Sequence, residues 1–432
     1  MERKIIKRLV EWYQQPRRAP LLLSGARQVG KTYIALEFGR RHFSNTVYLN
    51  FEDARELAAI FDRDFDTERI LKELSAFTRE SIVPQKTLLI FDEIQACERA
   101  MTSLKYFCEK APEYCILAAG SLLGVAINRS SYSFPVGKVD MLTMYPLDFE
   151  EFLLALGEDK MLGLIRDSYA SFTPLSLHEQ ALSLYQQYLV VGGMPRAVQE
   201  YVDTKDFLRV FTVQKTLNDS YIADMAKYAS PSETSRTMAA WASLPAQLAK
   251  KNKKFQYQVI GSGARAYNYA PSIDWLRAAG MINKCILTRE GRLPLSAFTD
   301  PTAFKLYMVD TGLLCSKFGI PANAVLSASH DLDAFKGALA ENYVMQALTA
   351  NGLEPYYWTS GAQAELDFVF QNAAGQIIPL EVKAADNVRA RSLGIFSEKY
   401  AVPYAYRVSA RNFGCEGSLR SVPLYAVFCI AG

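Results

Sequence analysis

The 432-residue chain is poor in histidine: it holds three, His42, His178 and His330, far apart and in unrelated contexts. No HExxH motif and no close His pair occurs, which argues against His-ligated metalloenzymes. A Ser-His-Asp or Cys-His engine finds no nucleophile-elbow motif to support it. The 7 cysteines are odd in number and form no CxxC, so they read as reduced, mostly buried thiols of a cytosolic protein. Long apolar runs are missing too. The longest near-apolar stretch, 115–127, is too short and too broken by Gly and Ser to span a bilayer. The basic amphipathic opening lacks the apolar region and cleavage site of a signal peptide. The expected location is the cytoplasm, with no membrane partner. Nor is there a surplus of charge: 48 Lys+Arg against 45 Asp+Glu leave +3, so any nucleic-acid surface must be local.

The composition, 50% apolar and 22% charged, is that of a globular protein. At roughly 150 residues per domain the length implies two to four domains. LLLSG (21–25), TVYLNFE (46–52), KTLLIFDE (86–93) and YCILAAGS (114–121) read as buried strands separated by helix-period segments. That alternation implies a parallel sheet covered on both faces. Helical periodicity takes over from about 148 and stops at Gly192-Gly193-Met194-Pro195. Residues 201–300 read as several helices and then a hairpin around Glu290-Gly291, the outline of a winged helix. From about 333 a helix, FKGALAENYVMQALTANG, is followed by three strand candidates, with 372–375 as a hairpin turn.

Gly25-Ala26-Arg27-Gln28-Val29-Gly30-Lys31-Thr32 fits GxxxxGK[ST], after an apolar strand and before a helix pattern. Glycines let backbone N–H groups turn inward around phosphates, and the helix start adds partial positive charge. Lys31 then reaches the β- and γ-phosphates, and the Thr32 hydroxyl ligates Mg²⁺. A second motif, Leu88-Leu89-Ile90-Phe91-Asp92-Glu93, ends an apolar strand in two acids. Asp92 is expected in the Mg²⁺ shell and Glu93 at the attacking water. Each motif alone has a bland alternative, a glycine turn or an acidic strand end. Order and context together favour a nucleotide site, with ATP and Mg²⁺ as ligands.

These residues resemble those of AAA+-like P-loop ATPases of bacteria and archaea, of the branch grouped with signal-transduction (STAND-type) NTPases. The resemblance implies that Ser121, after Ala118-Ala119-Gly120, is a polar sensor. It implies that Gly193-Met194-Pro195 is an element near the nucleotide, with Pro195 in contact, and that 145–152 enters a helical lid. Where relatives carry Gly-Arg this chain has Gly137-Lys138, with Arg129 as a nearby substitute. Slow basal turnover is expected, about 10⁻⁴–10⁻² s⁻¹ as in switch-type P-loop sites.

Near the carboxyl terminus, Glu341 lies on a predicted helix, Glu365 and Asp367 on AELDFVF, and Glu381 and Lys383 on IPLEVKA. Strand alternation sets each pair on one face. Paired strands would form an acidic pocket in which Asp367 and Glu381 ligate Mg²⁺ and Lys383 polarises a phosphate or water. The pattern resembles the PD-(D/E)XK nuclease fold, a carboxyl-terminal domain that often accompanies this ATPase type as a domain of unknown function. Two readings stand: a metal-dependent cleaving site, or a fold kept as a binding module. The alternative from spacing alone is a surface hairpin with cross-strand Lys–carboxylate pairs.

The expected fold is thus α/β. An AAA+-like P-loop core occupies 1–150, a helical lid 151–205, a winged-helix region 206–325 and a nuclease-like domain 326–432. DNA is the candidate partner, through the winged helix and the carboxyl-terminal domain. Lys250, Lys251, Lys253 and Lys254 form a basic stretch that fits phosphate contacts or a solvated turn. Tyr356-Tyr357-Trp358 fits base stacking or, as the better reading, a core strand. Arg3 or Lys4 is a candidate contact to the base. The residues leave the biological process and the oligomeric state open.

Overall fold

A computed structural model describes residues 1–54, 56–121, 123–127, 134–228, 231–250, 253–326, 333–361, 364–383 and 391–431. Arg129, Lys251 and His330 lie outside the described residues. The chain divides into two compact units, Glu2–Tyr145 with Ala278–Gly280, and Pro146–Arg277 with Met281–Gly432.

The first unit is built on strands β1 (Leu21–Ser24), β2 (Asn45–Asn50), β3 (Thr87–Asp92), β4 (Cys115–Ala119) and β5 (Asp140–Thr143). They form one sheet in the order β2-β3-β4-β1-β5, and every pairing is parallel. The four apolar runs are β1 to β4; β5, short and half-exposed, carries no such signal. Helices α1 (Ile5–Gln14), α2 (Lys31–His42), α3 (Glu56–Asp62), α4 (Thr67–Thr78), α5 (Glu98–Lys110) and α6 (Leu123–Ile127) complete the unit. Strand β3 is buried at all six positions, as a parallel strand covered on both faces must be. Its Phe91 meets Phe51 and Phe61 edge-on at 5.5 and 6.0 Å, at the centre of the core on that face.

The second unit opens on α7 (Phe149–Leu156), α8 (Asp159–Ser171), α9 (His178–Val191) and α10 (Pro195–Thr204). The start of α7 is a reciprocal cap. Asp148 accepts from Glu151 N, while the Glu151 side chain accepts from Asp148 N. Next come α11 (Phe207–Tyr228), α12 (Pro231–Leu248), α13 (Ala266–Ala278), strands β6 (Ile282–Thr288) and β7 (Thr299–Met308), then α14 (Thr311–Phe318), α15 (Ala322–Leu326) and α16 (Asp333–Ala350). Strands β8 (Tyr356–Thr359), β9 (Glu365–Gln371) and β10 (Ile377–Val382), helix α17 (Arg391–Tyr400), and strands β11 (Ala405–Ser409), β12 (Gly414–Glu416) and β13 (Leu419–Pro423) close it.

The eight strands among the described residues of this unit form one mixed sheet, β12-β13-β11-β10-β9-β8-β6-β7. The hairpin read from the sequence as a wing is β6–β7, and it does not stand alone. Strand β6 pairs in parallel with β8, Ile286 opposite Tyr356, so the ladder runs across residue 325, where a domain boundary was expected. Side-chain pattern specifies a strand but not the neighbour that satisfies its edge. The turn at Asn372–Gly375 joins β9 to β10 as expected, with Gly375 N donating to Asn372 O. Tyr356, Tyr357 and Trp358 are buried in the core, Trp358 edge-on to Phe396 at 5.0 Å, which excludes base stacking there.

Candidate functional site: the phosphate loop and the acidic sheet face

Strand β1 delivers the chain into the loop Gly25–Thr32, and α2 begins at Lys31. Gly25 has φ +139°, and a Cβ there would stand 2.1 Å from Met144 O. Gln28 (φ +64°) and Gly30 (φ +98°) are left-handed, which curls the loop back onto the helix start. Val29 is buried beneath it, while Arg27 is half-exposed and Gln28 exposed. Lys31 is buried and donates to Gly25 O and Ala26 O, both at 2.8 Å. Burial brings its pKa down to about 8, against the pull of Glu93 and Asp92.

Asp92 ends β3, deeply buried. Its Oδ2 accepts from Thr32 Oγ1 at 2.7 Å and from Tyr48 Oη at 2.9 Å, and its Oδ1 accepts from Glu93 N at 3.0 Å. The hydroxyl of Thr32 and the carboxylate of Asp92 are hard oxygen donors side by side at a helix start, a set that fits Mg²⁺. Glu93 leaves the strand in the left-handed region, φ +48°. Its Oε2 accepts from Gln95 Nε2, and Ser121 Oγ stands 3.5 Å from the same oxygen. The strand order accounts for this meeting, because β4, which ends just before Ser121, lies between the strand of the loop and the strand of Asp92. Arg3 is not turned to solvent: its guanidinium donates to Val29 O at 3.0 Å and Tyr145 O at 2.6 Å, tying the loop's backbone. Lys138 pairs with Glu109 at 3.0 Å. Sequence reasoning missed Tyr48 and Gln95; neither belongs to a motif, and only β2 pairing beside β3 brings Tyr48 to Asp92.

Pro195 stands at the first turn of α10, in the second unit. The turn before it is held by Asp310, the N-cap of α14. Asp310 is fully buried and accepts from Gly193 N at 2.6 Å and from Leu313 N at 2.8 Å. Burial pushes its carboxyl up to about 6, with those N–H groups opposing.

In the eight-stranded sheet, Leu380 lies opposite Phe368, a register that brings Asp367 beside Glu381. Val382 N donates to Asp367 Oδ2 at 2.8 Å. Glu341, from α16, is buried against β7 and takes hydrogen bonds from Lys253 Nζ, from Tyr307 Oη and, at 3.3 Å, from Lys305 Nζ. Lys305 also reaches Glu365 Oε1 at 2.7 Å and lies 4.0 Å from Asp367 Oδ1. Lys383 pairs with Glu381 Oε1 at 2.8 Å, and among the described residues Glu381 Oε2 has no hydrogen-bond partner. The structure therefore places Glu341, Glu365, Asp367, Glu381 and Lys383 on one network of charges. It adds Lys305 and Lys253, which the sequence did not assign there. Lys253 was grouped with the basic stretch, but it is turned to Glu341 instead of offering its charge to a phosphate. A lone Lys inside the apolar run AFKLYMVD was the available signal for Lys305. Burial raises the Asp367 carboxyl and would raise Glu341, but Lys305 and Lys253 outweigh it at Glu341 and hold that group low. Among the described residues no group of three or more His, Cys, Asp or Glu side chains is disposed to hold a metal ion.

The first unit thus joins a parallel sheet in this order to a glycine-rich loop after β1 and an acidic pair at the end of β3. Residues 17–153 match the family model of the AAA domain. Residues 182–324 and 336–426 match two domains of unknown function, DUF8612 and DUF4143. No curated protein matches the sequence. The solved structures to which the chain is similar include a Walker-type ATPase of Pyrococcus abyssi, at 14% identity, covering 73% of this chain and 95% of that one, with a TM-score of 0.44. They also include the Aeropyrum pernix ORC1 protein in complex with DNA (13% identity, 74% and 93% covered, TM-score 0.31) and the Aeropyrum pernix ORC2 protein (12%, 80% and 92%, 0.33). Among the described residues no helix is long and apolar enough to cross a membrane.

Proposed function

We propose that the chain is a Mg²⁺-dependent, slowly hydrolysing ATPase of the signal-transduction type, whose nucleotide state controls a nuclease-like, DNA-binding carboxyl-terminal region. The observation that carries the ATPase reading is the 2.7 Å hydrogen bond between Thr32 and Asp92, which joins the two motifs. The loop's backbone N–H groups and the start of α2 attract the phosphates, and Lys31 adds a full charge. Thr32 and Asp92 would hold the Mg²⁺, which neutralises charge on the phosphate oxygens when bound. Glu93, steadied by Gln95 and Ser121, orients the attacking water and takes its proton. Arg3 keeps the loop's outer carbonyl fixed. Pro195 and the lid helices of 151–205 are proposed to respond to the nucleotide, and the segment 206–325 to transmit the response.

Calorimetric titration with Mg-ATP tests this. The wild-type chain binds, Lys31→Ala does not, and Glu93→Gln binds but hydrolyses about 10²–10⁴-fold more slowly. Equal binding by Lys31→Ala would overturn the reading.

Residues 326–432 are read as a PD-(D/E)XK-like domain, with Asp367, Glu381 and Lys383 at the motif positions and Glu341 and Glu365 beside them. A divalent metal does not fit this cluster well. Lys305, Lys253 and Lys383 already neutralise three of its four carboxylates, and two ammonium groups stand within 4.0 Å of Asp367 and Glu381. The reading in which the fold is kept as a binding module is favoured on that ground.

A further inference from the structure

We propose that Lys305 serves as a built-in cation of the carboxyl-terminal sheet, so that the nuclease-like face is held together without metal and does not cleave nucleic acid by a metal-dependent route. This deepens the binding-module reading and rests on it.

The placement of Lys305 carries the inference. It projects from β7 and is almost wholly buried, in contact with Glu365 and Glu341 and close to Asp367. A divalent ion shared by these carboxylates would bind their oxygens at about 2.0–2.6 Å. It would need the volume and the Glu341 and Glu365 oxygens that the ammonium already takes, and an ion drawn to Asp367 Oδ1 and Glu381 Oε2 would sit beside the Lys305 and Lys383 ammonium groups. Lys253 and Tyr307 complete Glu341 from either side, leaving it no role in metal binding. Asp367 gives one oxygen to Val382 N, and Glu381 gives one to Lys383. The four carboxylates and three ammonium groups sum to −1. A divalent ion would turn that to +1 beside two ammonium groups, a repulsion that the partly buried position screens poorly. The origin of Lys305 also matters. It belongs to the hairpin that the sheet recruits from outside the 326–432 segment, and that hairpin brings the positive charge to the face.

The test uses the full chain and Mn²⁺ alone, without nucleotide, followed by the electron paramagnetic resonance signal of free Mn²⁺. Plasmid nicking and DNA affinity are measured on the same preparations. The wild-type chain is expected to take up no ion that Asp367→Asn removes, and to nick no plasmid. Lys305→Met is expected to melt at a lower temperature than wild type, to gain an ion that depends on Asp367, and to recover melting temperature in Mn²⁺. Should Lys305→Met not fold, Lys305→Gln and refolding in Mn²⁺ against EDTA give the same readout. Asp367-dependent Mn²⁺ uptake or nicking by the wild-type chain overturns the inference, and so does a Lys305 variant that gains no ion. DNA affinity tests the binding-module reading separately, because its loss would remove that reading while leaving the metal result intact.

Discussion

Lys31 and Lys305 are both buried ammonium groups, 6% and 2% exposed, and their surroundings differ in kind. Lys31 hydrogen-bonds two carbonyls of its own loop, and burial lowers its pKa to about 8 despite the more distant Asp92 and Glu93. Burial would lower Lys305 as well, but Glu341, Asp367 and Glu365 outweigh it and hold that group above its ordinary range. A buried cation that its neighbours compensate only in part keeps attraction for an incoming anion. One ringed by carboxylates has none to offer and belongs to the fold. On the proposed reading the contrast separates a ligand site from a structural cluster, although both are buried, charged and assembled from distant segments.

Removing each charge tests the contrast most strongly. Lys31→Ala should abolish the heat of Mg-ATP binding without lowering stability in urea unfolding, because the burial of its charge disfavours the fold. Lys305→Ala should leave buried carboxylates facing one another and cost about 3–5 kcal/mol in urea unfolding. Equal stability losses in the two variants would erase the distinction. A smaller effect is expected at Asp310, both of whose oxygens accept backbone N–H groups. Asp310→Asn turns an amide N–H₂ toward one of those donors and should cost roughly 2 kcal/mol by the same measurement. The sheet-face cluster should be affected little by it.

The pH dependence sharpens the comparison further. The lowered pKa of Lys31 means that its charge is lost as pH rises through about 8, so ATP affinity in calorimetry should fall between neutral and alkaline pH. Stability moves the other way. Above pH 8, and up to the ordinary lysine range, the unfolded chain binds a proton that the folded chain does not, so this group's cost to the fold fades as pH rises. An ATP affinity that stayed flat across that range would place the phosphate-binding charge elsewhere. The smallest expected effect is a control that belongs to neither lysine's hydrogen-bond network. Asp66 caps α4 by accepting from Arg69 N at 3.0 Å, and Asp66→Ala should cost about 1 kcal/mol in thermal unfolding without moving ATP affinity.

The phosphate loop was legible because its chemistry is local. Eight consecutive residues specify the turn, the helix start and the lysine, and an apolar strand ending in Asp-Glu identifies its counterpart. The four buried strands of the first unit were legible for a similar reason, since each is a continuous apolar run. Strand β5 and the partners Tyr48 and Gln95 were not. Their positions follow from which strands become neighbours, and no short pattern records that. Glu341, Glu365, Asp367, Glu381 and Lys383 were named as a cluster from strand alternation and resemblance, and Lys305 was not among them. That residue joins the face only because β6 pairs with β8 and carries β7 with it.

The sequence alone therefore determined the first unit's loop and its acidic strand end, where covalent neighbours set the turn and the helix start and backbone geometry follows from residue type. The tertiary structure decided which charges meet on the acidic face of the second unit. Hydrogen bonding between strands far apart in the chain sets which charges meet, and burial then sets whether those charges remain open to a ligand or neutralise one another.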